Sequence, residues 1–137
     1  MKSTIIAIDF DGTLVEHRFP DIGKEVPRAI EYCKAFQTLG AKLILYTMRS
    51  DRDEAPYLQH AIDWCREREL EFWDHNHNPE QSSWTGSPKI YANIYIDDAA
   101  AGIPLRAPMD GSRSYVDWSV VGPKVIEKIV KRISHNE

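Results

Sequence analysis

The chain has 137 residues, 42% of them hydrophobic and 28% charged, with a formal net charge of -4. That length fits one domain spanning 1–137, large enough to bury a core without disulfide or metal staples. The negative balance argues against bulk nucleic-acid binding, which needs a basic face.

The apolar run at 5–8 is too short for a signal peptide and ends in two acids, so it reads as a strand buried on both faces. Val26, Ala29, Ile30, Cys33 and Phe36 then recur at helical spacing, with Pro27 in the first turn and Gly40 as the C-terminal cap. Residues 42–46 (KLILY) read as a second strand, and Leu58, Ala61, Ile62 and Cys65 as the apolar stripe of a second helix. Short strands are expected at 71–73 and 94–96. Pro123 is expected to open a last helix carrying Val125, Ile126, Ile129, Val130 and Ile133 on one face. The segments 76–88 and 99–118 are rich in turn formers and read as loops, the second with an edge strand near 103–105. Cys33 and Cys65 fall on apolar stripes and read as reduced core thiols. No stretch reaches transmembrane length, so neither a membrane nor a secreted setting is expected, and the location implied is the cytoplasm.

Alternating strands and helices predict an α/β fold, a three-layer, doubly wound, mainly parallel sheet of the Rossmann type with helices on both faces. Ligands of such sheets bind beyond the carboxyl ends of the strands. The first strand delivers Asp9, Phe10, Asp11, Gly12 and Thr13 there. The second delivers Thr47, Met48 and Arg49, the third Asp74, His75, Asn76 and His77, and the fourth Asp97 and Asp98. Acids converging from two strands repel one another, and a hard divalent cation with oxygen ligands, such as magnesium, is the usual remedy. A metal beside an Asp suits phosphoryl transfer through an aspartyl-phosphate, with a second acid serving the leaving group and then water. Gly12, Met48, Arg49 and Asn76 border this edge and are assigned to substrate binding. His17 and Arg18, in the loop after the first strand, are expected to cover it.

The run IDFDGTL resembles the first motif of the haloacid dehalogenase superfamily, and the remaining motifs follow in order: Thr47 after LILY, Lys89 ahead of the fourth strand, and the acidic pair Asp97-Asp98. The resemblance spans 5–98. It implies Asp9 as nucleophile and metal ligand, and Asp11 as acid/base and metal ligand through its carbonyl. Thr47 and Lys89 would contact the phosphoryl group, and Asp97 and Asp98 would hold magnesium. It implies a phosphatase acting on phosphate monoesters. Neither 14–24 nor 76–89 could hold a folded cap domain, so the expectation is a capless member with an open site. The loop 76–88, with Trp84, is its candidate partial lid.

Other readings compete. A phosphotransferase or mutase with a lid from a partner subunit in a homo-oligomer would use the same residues. A receiver-like regulatory domain shares the chemistry, but keeps its acidic pair on the first strand, with no counterpart to Asp97-Asp98. Taken singly, Asp11-Gly12 is an ordinary turn signal, Thr47 an ordinary strand residue, Lys89 an ordinary solvated lysine and Asp98 an ordinary helix cap. His75 and His77 lack a clear third zinc ligand.

Overall fold

The computed structural model describes residues 2–135. The continuous apolar run at Ile5–Ile8 forms β1, buried along its whole length. After it come α1 (Ala29–Thr38), β2 (Lys42–Leu45), α2 (Tyr57–Glu67), β3 (Asp74–His75) and β4 (Ile94–Ile96). A short pair, β5 (Leu105–Arg106) and β6 (Tyr115–Val116), precedes α3 (Trp118–His135). The first four strands form one parallel sheet in the order β3-β2-β1-β4, while β5 and β6 pair antiparallel in a sheet of their own. The fold is therefore α/β and Rossmann-like, with β1 central.

The two faces of the sheet are covered unequally. Ile6, Ile8, Leu43, Leu45 and Ile96 belong to one core with Cys33 and Phe36 of α1, Ala61 and Cys65 of α2, and Val125 and Ile129 of α3. Alternate residues of the same strands, Ile5, Ala7 and Ile44, point the other way and form a smaller cluster with Ala92, Trp73 and Ile90. No residue of the three α-helices belongs to that second cluster. The expected second helical layer is replaced by the β3–β4 crossover, whose Pro-, Ser- and Asn-rich chain supports only a 3-10 turn at Gln81–Ser83. Helices α1 and α3 lie in close contact. The Tyr32 ring stacks on Trp118, and a Cβ at Gly122 would sit 2.5 Å from that tyrosine.

Three boundaries differ from expectation. The third strand lies at Asp74–His75 rather than 71–73, set by pairing with Ile44 and Leu45 of β2. The loop at 99–118 contains the β5–β6 pair, of which only the residue Leu105 falls in the expected edge strand. Helix α3 starts at Trp118, and Pro123 lies inside it. Asp117 caps that helix: its carboxylate accepts the Ser119 amide, and its carbonyl the Val120 and Val121 amides. Cys33 and Cys65 are free and buried, as expected of core thiols, and burial raises both, Cys65 to about 12. Among the described residues, no helix is long and apolar enough to cross a membrane.

Candidate functional site

Parallel pairing of β1 with β4 aligns Ile8 with Ile96, so the next residues of the two strands leave the sheet side by side. The Asp9 amide donates to the Ile96 carbonyl at 2.9 Å and fixes that arrangement. Asp9, Asp97 and Asp98 each offer a carboxylate oxygen within 4.8 Å of the others, and all three are partly buried. Burial, the Asp97 charge and hydrogen bonding to Asp98 push the Asp9 carboxyl from 3.8 up to about 8. Three acids this close form an oxygen donor set suited to a hard divalent cation, which would offset the burial and the neighbouring charge that raise Asp9.

A tight turn over Phe10–Val15 supports the trio. The Thr13 hydroxyl donates to Asp9 Oδ2 at 3.1 Å and accepts the Asp98 amide at 3.2 Å. Trp118 Nε1 donates to the Thr13 carbonyl at 2.7 Å, anchoring the turn on α3. Gly12 has φ +85°, and a Cβ there would meet His17 Nε2 at 2.1 Å and Asp98 Oδ2 at 2.6 Å, so no side chain fits. Gly12 thus makes room for the site by lacking a side chain. His17 pairs with Asp98, Nε2 to Oδ2 at 2.9 Å, which ties the following loop to the acids.

Asp11 turns elsewhere. Its two carboxylate oxygens accept Nε and Nη2 of Arg49 at 2.8 and 2.9 Å, and it is not one of the trio. Arg49 is 3% exposed, lies 5.1 Å from the Phe10 ring and 5.0 Å from Phe19, and also donates to the carbonyls of Pro20 and Asp21. The residue assigned to substrate is here a clamp on Asp11 and the loop beyond it. Thr47 and Asn76 meet: the Thr47 amide donates to Asn76 Oδ1 at 2.8 Å, and Thr47 Oγ1 accepts the Arg49 amide at 3.1 Å. Met48 stands 97% exposed beside them.

Lys89 and the expected lid lie differently from the sequence reading. Lys89 is exposed and, among the described residues, forms no ion pair with a carboxylate; its carbonyl accepts from Gln81 Nε2. Trp84 lines a cleft with Ile5, Lys42 and Asn93, at the start of the strands rather than over their ends. The reason is topological: a parallel crossover must return to the amino end of β4 before that strand begins. His77 pairs with Asp74 at 2.8 Å, and among the described residues neither it nor His75 joins a metal-type cluster. Sequence reasoning assigned no role to Thr13, although the run DGT carries it. His17 was placed near the site without a partner, because Asp98 lies 81 positions away.

A solved structure described as that of a conserved protein coded by a locus from Bacteroides thetaiotaomicron is 39% identical to this chain, covers 93% of each chain and superposes with a TM-score of 0.74. The two chains are members of one family. The description of that relative names no activity. No family model and no curated protein matches the chain.

Proposed function

We propose that the chain is a magnesium-dependent phosphatase of the haloacid dehalogenase type, hydrolysing phosphate monoesters through an aspartyl-phosphate on Asp9. The observation that carries this reading is the meeting of the Asp9, Asp97 and Asp98 carboxylates within 4.8 Å at the carboxyl edge of β1 and β4. Those three would hold the cation, which supplies charge neutralisation for Asp9 and the phosphoryl group. The Asp9 carboxylate attacks phosphorus and the bond to the leaving oxygen breaks. Asp11 gives a proton to that oxygen and later takes one from the water that cleaves the aspartyl-phosphate. For this it must leave the Arg49 guanidinium that now occupies both its oxygens. Thr47 Oγ1, which accepts the Arg49 amide, would donate its hydroxyl proton to the phosphoryl group. Lys89 reaches the phosphate only if its exposed side chain moves to the carboxyl edge. Among the described residues no cap domain is inserted, and Phe19 and Met48 stand exposed, which suits a large phosphorylated substrate or a lid from a second subunit. Two unpaired thiols fit a reducing cytoplasm.

The test is release of phosphate from a generic aryl phosphate by the purified chain with magnesium. Asp9→Asn is expected to lower turnover by about a thousandfold or more while leaving the fold intact. Full turnover in that variant removes Asp9 from the mechanism.

A further inference from the structure

A second polar cleft, of about 780 Å³, opens at the other end of the strands from the acids. The length of β1, about 13 Å at 3.3 Å per residue, separates the two. Its lining includes Lys2, Lys42, Arg132, Trp84 and Tyr91. Three cations face a single acid, Glu80, in a chain whose net charge is -4. Lys42 Nζ lies 3.5 Å from that acid and 4.5 Å from the Trp73 ring. Arg132 donates Nε to Thr4 Oγ1 at 3.0 Å, which fixes its stem, and both its terminal nitrogens are without a protein acceptor among the described residues.

The aromatic wall is prebuilt. Asn78 is 2% exposed; it donates to the Tyr91 carbonyl and accepts the Glu80 amide. Gln81 is also buried and makes three bonds, to the Ser87 and Lys89 carbonyls and from the Tyr91 amide. These two amides staple the crossover to itself. They hold Trp84 edge-on to Tyr91, with ring centroids 5.5 Å apart, although Trp84 is 62% exposed. An exposed indole already set against a second ring offers a stacking surface with less ordering left to do on binding.

We propose that this cleft binds a small aromatic anion of the nucleoside monophosphate class, with its ring against Trp84 and Tyr91 and its phosphate on Lys42, Lys2 and Arg132. Ammonium and guanidinium groups recognise phosphate oxygens, and aromatic side chains stack on bases of any sequence. The site needs no metal and does not depend on the chemistry proposed at Asp9.

Titration calorimetry of the full chain in chelator tests it, because the acidic trio without a cation repels phosphate. Adenosine monophosphate is expected to bind one to one and more tightly than either adenosine or inorganic phosphate. Lys42→Met and Trp84→Ala should each weaken it about tenfold or more, with unchanged circular dichroism. Lys2→Ala reads the same charge without touching the sheet and should weaken binding too. Asp97→Asn should leave the affinity unchanged. No heat from adenosine monophosphate, affinity that survives the cleft substitutions, or loss of binding in Asp97→Asn overturns the assignment.

Discussion

At the scale of the residue, Arg49 shows how much one buried cation can organise. Its side chain is 1% exposed and its partner Asp11 18%. Removing one member of such a pair leaves the other charge desolvated, and the measured cost of that is about 3–5 kcal/mol. The two backbone carbonyls that Arg49 also satisfies, at Pro20 and Asp21, would lose their donor as well. Arg49→Gln should therefore destabilise the fold by about 3 kcal/mol in urea denaturation. It should also free Asp11, so stability and turnover need not fall together. A loss below about 1 kcal/mol would mean that solvent replaces the guanidinium without difficulty, and that the clamp is not structural. The pairing could not be read from the sequence. It joins positions 38 apart, and nothing local distinguishes Arg49 from a surface arginine beside Asp51 or Asp53.

At the scale of the element, the contact between α1 and α3 turns on Gly122. An alanine there would raise intrinsic helix propensity by up to about 1 kcal/mol. The Tyr32 ring stands where its Cβ must go, at 2.5 Å, and that ring is itself stacked on Trp118. Overpacking of this kind costs about 1–3 kcal/mol, so Gly122→Ala should be net destabilising, read as a lower midpoint in thermal unfolding. A higher midpoint would show that Tyr32 can move aside. The same region marks the limit of legibility. β1 and β2 could be read because a strand buried on both faces prints a continuous apolar run, and β4 because three apolar residues lead into an acidic pair; the acids at the ends of β1 and β4 are local signals. That is why Asp9, Asp97 and Asp98 were found and do meet. The start of α3 was misplaced because Pro123 is a strong local signal, yet the Asp117 cap and burial of Trp118 start the helix a turn earlier. β3, only two residues long, is defined by its partner rather than by its own composition. The lack of helices on one sheet face was hidden because Ile5, Ala7 and Ile44 look as apolar as Ile6 and Leu43, whatever covers them.

At the scale of the whole molecule, the acidic trio should make stability depend on pH and, with the metal role proposed for it, on cation. Asp9 is pushed to about 8 by its burial, by Asp97 and by Asp98, whereas in the unfolded chain it titrates near 3.8. Below about pH 4 both states carry the proton, and Asp9 contributes no pH dependence. Between about 4 and 8 the folded chain keeps a proton that the unfolded chain has lost, so its contribution to stability declines as pH rises, then levels off above about 8. Magnesium held by the trio as proposed would act in the opposite sense, because the cation takes the deprotonated carboxylates and the proton must leave first. The stabilisation on adding magnesium, read as a rise in melting temperature, should be small near pH 5 and grow towards pH 8, reaching about 2.7 kcal/mol at a hundredfold excess over its dissociation constant. Melting curves of the native chain and Asp9→Asn, with and without magnesium, separate this from every other carboxylate. The substitution should abolish most of the pH-dependent decline, leave the metal-free protein more stable near pH 8, and strongly reduce the magnesium effect. An equal magnesium response at pH 5 and pH 8, or one unchanged in Asp9→Asn, would place the cation somewhere other than between β1 and β4.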